Sequence, residues 1–390
     1  MFGGLAYRSF IFWPVGCGDS TTVAISDDVV VQIDLNDGAI ADSRDNERIP
    51  VVDELVAKLP KRNGKPYLAC FILTHPDLDH CKGFRDLLKR VIIGELWHTP
   101  RVFREYEYHA DMSDDAKVFR KEAKRRVAAT IKAGGDPGAG DRVRVIGYDE
   151  LLQEDDYRAL PRVFFTHPGN SIELIDGRDM SAVFSAFVHA PFKDDSAGDR
   201  NETSLALQVT LINGSQAMQG LFLGDLAYPT LRRVFDETRR HVNDHRLTWN
   251  ALLAPHHCSK KAMYEKGANG NDVLKQDILD DLEGAQEKGA FIIASSSAIP
   301  GSNISGDNPP HAKARNRYEE IVSGQFLCTG EYSTPQNMRP IILSLTANGV
   351  VLASGAYHLS EAAKAGLAAA VAKARGDSAP PSAKVGFGRS

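Results

Sequence analysis

Short apolar runs bounded by glycine, proline or aspartate recur along the first part of the chain. Runs of this length that are rich in Val, Ile and Phe are typical of strands, whereas apolar positions three and four residues apart are typical of helices. These patterns predict strands over 10–13, 21–25, 29–34 and 67–73, and helices over 51–59 and 83–91. Because strands and helices alternate, we expect an α/β fold.

The segment from about 100 to 160 differs from its surroundings, because a strongly basic helical pattern there is closed by a glycine-rich loop. We interpret it as a helical insertion. Strand patterns return over 183–188, 204–212, 220–223, 251–253, 290–294 and 341–345. We therefore expect a single domain over 1–358 that contains this insertion, a C-terminal helix over 359–375, and a tail over 376–390 whose Pro, Ser, Gly and Lys content is typical of disorder.

Composition narrows the class of protein. The chain has 390 residues, of which 43% are hydrophobic and 25% are charged, as in an ordinary globular protein with a sizeable core. The formal net charge of -5 excludes coating of nucleic acid through bulk positive charge. Five cysteines without a CxxC pair indicate neither a disulfide framework nor a zinc finger. No apolar run approaches the roughly 18 residues of a membrane span, so we expect a cytoplasmic protein without membrane contact.

Residues able to bind metal are concentrated where predicted strands end. Directly after the strand over 67–73 come two imidazoles and two carboxylates, those of His75, Asp77, Asp79 and His80. Three later strands also end in such residues, which are His189, Asp225 and the pair His256 and His257. Two divalent ions about 3.5–4 Å apart, sharing a carboxylate and a hydroxide, need a collection of this kind. The pattern therefore predicts a dinuclear hydrolytic site with Asp225 as its bridging carboxylate.

The order of these motifs resembles that of the metallo-β-lactamase superfamily, in which HxHxDH is followed by a lone His, a lone Asp and a final His. It is more similar to the soluble hydrolase domain of ComEC-type DNA-uptake proteins, where the first motif is HxDxDH, as in residues 75–80. Other similar segments follow in that family's order, at 15–20 (VGCGDS), 201–205 (NETSL), 222–226 (FLGDL), 256–260 (HHCSK) and 297–311. Three positions depart from the pattern: Cys17 replaces Gln, Cys258 replaces Gly, and Ala312 follows His311 in place of Pro.

The resemblance implies a metallo-β-lactamase αβ/βα four-layer sandwich, in which two packed sheets lie between outer helices. It implies two metal positions, one held by His75, Asp77, His189 and Asp225, the other by Asp79, His80, Asp225 and one of His256 or His257. The sequence does not choose between these last two. Asp34 would steady the ligand loop, and Asn201 and Ser204 would support the ligands. Asp79 and His311 would act in catalysis, His311 by contacting a substrate phosphate or protonating the leaving group.

Asp77 stands where the superfamily usually has histidine, and it adds a hard oxygen ligand. Carboxylate-rich sites favour Mn²⁺ or Mg²⁺ more than all-imidazole sites do, so we expect two divalent ions, Mn²⁺ or Zn²⁺, with Mg²⁺ as a third candidate. The resemblance implies hydrolysis of a phosphodiester in DNA or RNA by a bridging hydroxide. Two alternatives stay open. The same site could hydrolyse a lactone, thioester, β-lactam or other small molecule, or the chain could be a non-catalytic component that works with a protein partner in a larger assembly.

The basic helix suggests a contact surface for DNA or RNA. Its six cationic side chains are Lys117, Arg120, Lys121, Lys124, Arg125 and Arg126. Lysine and arginine bind nucleic acid by neutralising its phosphates. Charge runs are also typical of a solvated helix face, and Glu122 supplies a partner within the run. The nucleic-acid patch is therefore a hypothesis that competes with a plain surface helix.

Overall fold

A computed structural model describes residues 8–38, 48–103, 112–193, 200–302, 308–334, 337–354 and 357–375. The predicted tail over 376–390 lies outside these residues. The strands of the described part are β1 (Ser9–Phe12), β2 (Thr21–Ala24), β3 (Val30–Ile33), β4 (Lys61–Arg62), β5 (Lys65–Ile72), β6 (Ile92–His98), β7 (Arg142–Ile146), β8 (Phe165–Thr166), β9 (Ser171–Ile172), β10 (Leu174–Ile175), β11 (Arg178–Asp179), β12 (Phe184–Ala190), β13 (Ala206–Asn213), β14 (Gln216–Phe222), β15 (Trp249–Leu253), β16 (Tyr264–Lys266), β17 (Asp272–Leu274), β18 (Gln286–Ala294), β19 (Gln325–Cys328), β20 (Ile341–Thr346) and β21 (Gly349–Leu352).

The helices of the same residues are α1 (Val51–Lys58), α2 (Leu78–Cys81), α3 (Phe84–Arg90), α4 (Asp114–Ala133), α5 (Tyr228–Arg240), α6 (Pro255–Cys258), α7 (Gln276–Ala285), α8 (Ala312–Ile321), α9 (Thr329–Tyr332) and α10 (Glu361–Arg375). Within this part of the chain, no helix combines the length and the apolar character needed to cross a bilayer.

Two mixed sheets form the framework. The longer has the order β21-β20-β1-β2-β3-β5-β6-β7-β8, with β4 paired to β5, and the shorter has the order β19-β18-β15-β14-β13-β12-β9. The longer sheet is antiparallel from β21 to β3 and parallel from β3 to β8. The shorter is antiparallel from β9 to β14 and parallel from β14 to β19. Each sheet thus has a parallel half, and the carboxyl ends of neighbouring parallel strands lie at one edge.

Strand alternation explains how each sheet buries both faces. In β1, Phe10 and Phe12 belong to the core between the sheets, whereas Ile11 belongs to the core beneath the outer helices. Across the sheets, Phe10 contacts Phe222 edge to face with 5.6 Å between ring centroids. Complete burial of one such side chain stabilises the fold by roughly 1.5–3 kcal/mol.

Helices cover the outer face of each sheet. On the longer sheet, Phe71 of β5 packs against Phe84 of α3 at 4.9 Å between ring centroids, and Phe84 packs against Phe119 of α4 at 5.1 Å. On the shorter sheet, α5, α7 and α8 bury Leu231, Leu279 and Tyr318 in a third core. The order of layers is therefore helix, sheet, sheet, helix, which confirms the predicted αβ/βα sandwich.

The basic segment is part of this framework, although its pattern suggested an insertion. Helix α4 begins after Ser113, whose Oγ accepts the N–H of Ala116 at 3.2 Å, and ends at Gly134 in the left-handed region. Strand β7 then pairs in parallel with β6 inside the longer sheet. β6, α4 and β7 therefore form one crossover unit of the sandwich.

Candidate metal centre

The predicted ligand loops converge on one edge of the sandwich. His75 follows β5 and His80 lies in α2, both in the half built on the longer sheet. Asp225 follows β14, and His256 and His257 follow β15 in the shorter sheet. The sheets thus bring together imidazoles and a carboxylate that are far apart in the sequence, as expected where parallel strands end at a shared edge.

Asp225 is the centre of this cluster. Its Oδ1 lies 3.3 Å from Nε2 of His80 and 3.7 Å from Nε2 of His257. Its Oδ2 lies 3.6 Å from Nε2 of His75 and 3.6 Å from Nε2 of His256. The two oxygens of one buried carboxylate therefore face two different pairs of imidazoles. The sequence left open which of His256 and His257 approaches the metals, and the structure brings both to the carboxylate on opposite sides.

Asp34 accepts hydrogen bonds from the loop that carries His75 and His80. Its Oδ1 accepts the backbone N–H of Thr74 at 2.7 Å, and its Oδ2 accepts the Thr74 hydroxyl at 2.6 Å. The same Oδ2 lies 2.8 Å from Nδ1 of His80. Because a carboxylate accepts hydrogen bonds, His80 carries a proton on Nδ1, and its Nε2 atom faces the centre.

Asp19 plays the corresponding part for His257, and the sequence analysis did not assign it a role. It is buried, its Oδ1 lies 3.3 Å from Nδ1 of His257, and its backbone N–H donates to the carbonyl of Asp79 at 3.1 Å. One ligand atom from each of Asp19, His80, Asp225 and His257 fits within a group whose members are no more than 4.8 Å apart. The only sequence signal for Asp19 is its place in the VGCGDS segment.

The two aspartates of the HxDxDH motif differ in position. Asp79 Oδ2 lies 3.2 Å from Nε2 of His257, and its side chain is 40% exposed. Asp77 is half-buried and precedes α2, where its carbonyl accepts the N–H of His80 at 3.0 Å. Asp79 thus lies among the imidazoles on the solvent side, whereas the backbone of Asp77 shapes the short helix that carries His80.

His189 does not join the cluster, and its assignment as a ligand is corrected. Its Nδ1 lies 2.9 Å from the Thr238 hydroxyl and its Nε2 lies 3.0 Å from the carbonyl oxygen of Arg246, so both ring nitrogens are engaged elsewhere. The pairing of β12 shifts register between Val188 and Ala190. Val188 faces the core between the sheets, whereas the His189 ring lies on the outer face beneath α5. Burial lowers the pKa of His189 to about 4, so the ring is neutral.

The loop that carries His256 and His257 has an unusual backbone. His256, His257 and Cys258 have φ values of 49°, 54° and 68°, in the left-handed region that non-glycine residues rarely adopt. Two hydrogen bonds from elsewhere hold it, because the His256 N–H donates to the Gly224 carbonyl at 3.1 Å and the His311 N–H donates to the Cys258 carbonyl at 3.1 Å. The surrounding structure thus imposes the conformation that directs both rings inward.

His311 lies behind this loop. Its Nδ1 accepts the backbone N–H of Lys260 at 3.2 Å, so in the neutral ring the proton lies on Nε2. Asn201 and Ser204 lie between the two sheets' ligand loops. The Ser204 hydroxyl donates to the Asn201 carbonyl at 2.7 Å. A Cβ on Gly224, which precedes Asp225 and has φ of 55°, would come within 2.9 Å of the Ser204 Cβ. Ser204 therefore packs directly against the turn that presents Asp225.

The charges of the cluster stabilise one another. Burial raises the pKa of Asp225, but the nearby imidazoles of His257, His80 and His75 outweigh it and hold that pKa well below the usual value. Burial lowers the pKa of His80, but the carboxylates of Asp225 and Asp34 raise it well above the usual value. The carboxylates thus favour positive charge at the imidazole nitrogens that face the centre.

These residues fit divalent ions. His75 Nε2 and Asp225 Oδ1 are buried and have no hydrogen-bond partner among the described residues. A buried polar atom left in this state costs roughly 1–3 kcal/mol. Imidazole nitrogens and carboxylate oxygens are ligands of Zn²⁺ and Mn²⁺, so coordination at the two sides of Asp225 would use the polar atoms that face it.

The structure changes the interpretation of the basic helix. Arg126 is buried, pairs with Glu122 at 2.8 Å, and donates to the carbonyls of Ile93 and Arg142 at 3.0 and 3.1 Å. It is therefore a structural residue and not part of an exposed patch.

The other basic residues of α4 lie nearer the surface. Arg125 pairs with Asp141 at 2.6 Å, Lys124 pairs with Asp156 at 3.1 Å, and Arg120 lies over the Phe103 ring at 5.9 Å. Lys117 and Lys121 are exposed and form no ion pair within the described part of the chain. Of the six residues predicted for the nucleic-acid patch, these two lysines would therefore contribute most.

Solved structures with a similar backbone include YhfI, Igni18 and yeast PDE1. YhfI from Bacillus subtilis, a metallo-β-lactamase fold protein, is 12% identical, with 86% of this chain and 98% of that chain covered at a TM-score of 0.38. Igni18, a metallo hydrolase from Ignicoccus hospitalis, is 9% identical, with 86% and 98% covered at 0.38. Yeast PDE1 is 9% identical, with 82% and 97% covered at 0.41.

No protein-family model matches the chain, and no curated protein matches it. The identities and TM-scores of these solved structures are too low to indicate a shared chemistry. The chemistry of this chain depends on the geometry of the cluster. The architecture itself, with two mixed sheets of this strand order between outer helices and His and Asp residues at their shared edge, is the metallo-β-lactamase αβ/βα fold.

Proposed function

We propose that the chain is a metal-dependent hydrolase that acts on phosphodiesters of DNA or RNA, and that its site holds two divalent ions on the two sides of Asp225. One observation carries this proposal. Oδ1 of Asp225 faces His80 and His257, and Oδ2 faces His75 and His256. A carboxylate shared between two ions is part of a recognised hydrolytic device.

The donor set supports particular ions. His80, His257 and Asp79 would hold one ion, and His75 and His256 the other, to which Asp77 is expected to add a carboxylate. When bound, two such ions would lower the pKa of water towards neutrality and neutralise charge that develops on the substrate. Oxygen ligands from Asp77, Asp79 and Asp225 favour Mn²⁺, with Zn²⁺ as the main rival and Mg²⁺ as a third candidate.

The protein groups around the ligands would contribute orientation and proton transfer. Asp34 and Asp19 face the Nδ1 atoms of His80 and His257, which leaves both Nε2 atoms directed at the centre. Asp79 is 40% exposed and His256 is 16% exposed, so they mark the side from which a substrate would approach. Asp79 is placed to contact that substrate or its water. His311 carries its proton on Nε2 and is our candidate donor to the leaving group.

Charge balance is compatible with an anionic diester. Two dications together with the carboxylates of Asp77, Asp79 and Asp225 sum to a single positive charge. A phosphodiester carries one negative charge, so the site would attract it without requiring a further cation. The same charge would not exclude a neutral lactone or thioester, so direct assay must distinguish these substrates.

The experiment is a metal-resolved assay of purified protein, first stripped with a chelator and then supplied with Mn²⁺, Zn²⁺ or Mg²⁺. The substrates are single-stranded DNA, duplex DNA, RNA, bis(p-nitrophenyl) phosphate and nitrocefin. We expect phosphodiester hydrolysis that depends on added metal. Hydrolysis of nitrocefin without any phosphodiester cleavage would favour the small-molecule alternative. Absence of all turnover would favour a non-catalytic component that works with a protein partner.

Variants make this assay specific. The double substitution Asp79→Ala with His80→Ala should abolish turnover while circular dichroism shows a retained fold. His241→Ala is the matched control, because that histidine directly follows α5, is 65% exposed and lies outside the cluster. Unchanged turnover in the double variant would refute the dinuclear site.

A further inference from the structure

Arg48 has no partner for its positive charge among the described residues. It is half-buried, and its Nε atom is shielded from solvent. Of the arginines whose side chains the structure describes, it is the one that forms no hydrogen bond, ion pair or ring contact. Withdrawing a charged group from water is unfavourable unless an opposite charge or an acceptor compensates it. A guanidinium in this state is therefore suited to meet an anionic ligand.

Gly16 makes room for this guanidinium. Its backbone has φ of 77°, in the left-handed region that favours glycine. A Cβ at Gly16 would lie 2.6 Å from Cζ and 2.7 Å from Nη2 of Arg48. The next residue, Ile49, fixes the approach of the chain, because its N–H donates to the Pro14 carbonyl at 3.4 Å. The guanidinium is thus held against the turn over 15–19, although it forms no hydrogen bond with it.

The same turn is part of the metal centre. A Cβ on Gly18 would lie 2.7 Å from the carbonyl oxygen of Asp79. The backbone N–H of Asp19 donates to that oxygen at 3.1 Å, and Oδ1 of Asp19 lies 3.3 Å from Nδ1 of His257. Arg48 therefore lies next to the part of the site that Asp79 and His257 form.

We propose that Arg48 binds a substrate phosphate next to the one that is cleaved. This inference rests on the proposed function and deepens it, because it makes a nucleic-acid strand with at least two phosphates the preferred substrate. An arginine suits this role, since its planar guanidinium can donate two parallel hydrogen bonds to phosphate oxygens. The phosphate that reacts would lie at the metal centre, and the neighbouring phosphate would lie on the side of Asp79.

Three variants separate a phosphate contact from a structural role. Arg48→Gln removes the charge, whereas Arg48→Lys keeps the charge but loses the planar fork. Lys65→Gln is the matched control, because Lys65 is exposed at the start of β5, at the opposite end of that strand from His75. Since Arg48 has no partner within the described part of the chain, Arg48→Gln should leave the midpoint of urea unfolding unchanged.

Binding is measured first. Dye-labelled dodecathymidylate is titrated with chelator-treated protein, and fluorescence anisotropy is recorded at several salt concentrations. Arg48→Gln should weaken binding about tenfold, as expected for the loss of one charge-assisted contact. It should also reduce the salt slope by about 0.7, the value for one phosphate of a single strand. Arg48→Lys should keep the wild-type salt slope while binding less tightly, and Lys65→Gln should change neither quantity.

Turnover is measured next, in the Mn²⁺-loaded protein. The loss of kcat/KM in Arg48→Gln should be about tenfold larger on dodecathymidylate than on bis(p-nitrophenyl) phosphate, which has a single phosphate. Lys65→Gln should retain the wild-type kcat/KM on both substrates.

Two results would overturn the assignment. One is unchanged binding and salt slope in Arg48→Gln. The other is an equal loss of kcat/KM on both substrates, which would assign Arg48 to the reacting phosphate or to the fold. Wild-type protein that hydrolyses neither probe would instead refute the proposed function. In that case the anisotropy data alone would decide whether Arg48 binds a phosphate of the strand.

Discussion

Nδ1 of His80 lies 2.8 Å from Oδ2 of Asp34, and this contact determines which ring nitrogen faces the metal centre. Asp34 also accepts two hydrogen bonds from Thr74, the residue before His75. One buried carboxylate therefore positions both ends of the HxDxDH motif. The backbone of Asp34 has φ of 52°, a left-handed conformation that aspartate adopts more readily than most residues.

Asp34→Asn should lower metal affinity, because the amide cannot accept all three hydrogen bonds and leaves His80 less well oriented. Loss of such a supporting group typically costs about 10–100-fold in metal affinity. Calorimetric titration of chelator-treated protein with Mn²⁺ or Zn²⁺ measures this change. Asp27→Asn, on an exposed turn, is the control. Equal affinity in Asp34→Asn and wild type would contradict the role assigned to Asp34.

Substitutions around Asp225 should change metal stoichiometry in a defined way. His256→Ala removes an imidazole that faces Oδ2, and His257→Ala removes one that faces Oδ1. Each should reduce bound metal from two equivalents to one, whereas Asp225→Ala should remove both. Elemental analysis after dialysis gives the number directly. Two equivalents retained in His256→Ala would show that this residue is not a ligand.

Arg126→Ala should destabilise the fold by roughly 3 kcal/mol, because it leaves Glu122 and the carbonyls of Ile93 and Arg142 without their buried partner. Urea denaturation monitored by circular dichroism measures the free energy of unfolding. Lys121→Ala on the exposed face of the same helix should change it by less than about 0.5 kcal/mol. Similar stability of the two variants would contradict the structural role of Arg126.

Among the six basic residues assigned to the patch, Lys117 and Lys121 are exposed and have no ion pair among the described residues. If α4 contacts DNA or RNA, replacing both with Gln should reduce the slope of log K against log salt by about two. Arg125→Gln should have a smaller effect, because Glu122 and Asp141 already neutralise that guanidinium. An unaltered salt slope in the double variant would dismiss the nucleic-acid patch.

His98 makes the fold sensitive to acid. Burial lowers its pKa to about 3, and the charges of Lys124 and Arg120 act in the same direction. The unfolded chain binds the proton near the ordinary pKa of about 6.5, so this contribution to stability is present above that pH and is lost as the pH falls towards 3. Between pH 7 and pH 5 the loss from this residue should be about 2 kcal/mol.

His98→Phe should remove this loss, because phenylalanine does not titrate and can occupy the site beside Phe103 and Phe119. Urea denaturation at pH 7 and pH 5, with chelator present at both, isolates the effect from the metal centre. The exposed His241→Phe is the control. A variant that loses as much stability as wild type on acidification would refute the assignment to His98.

Much of the fold and of the cluster could be predicted because the relevant signals are local. A buried strand ends where an apolar run meets a polar residue, and His75, Asp225 and His256 each stand close to such a point. Parallel strand ends share an edge, so these residues could be expected to meet. The choice between His256 and His257 could not be made, because it depends on consecutive left-handed residues that no local pattern predicts in the absence of glycine.

The remaining differences arise from contacts between distant segments. Alternation along β12 places Phe184, Ala186 and Val188 in the core between the sheets, so the His189 ring lies on the outer face beside Thr238 of α5. The order of the motifs does not show which face of its strand this histidine takes. In the sequence, Asp19 resembles an ordinary turn residue. Its role depends on the contact with His257, which follows a strand of the other sheet. In the sequence, Arg126 looks like a surface cation. In the fold it is buried, and it donates hydrogen bonds to the carbonyls of Ile93 in β6 and Arg142 in β7.

The proposed ligands come from both halves of the sandwich, since His75 and His80 belong to the longer sheet and Asp225, His256 and His257 to the shorter. Ions bound between them would fasten one half to the other, so their binding energy would also oppose unfolding. At a free ion concentration 100 times Kd, one site contributes about 2.7 kcal/mol. A chain deprived of metal would unfold and be degraded sooner. The amount of this protein in a cell would therefore follow the supply of its metal, in addition to its rate of synthesis.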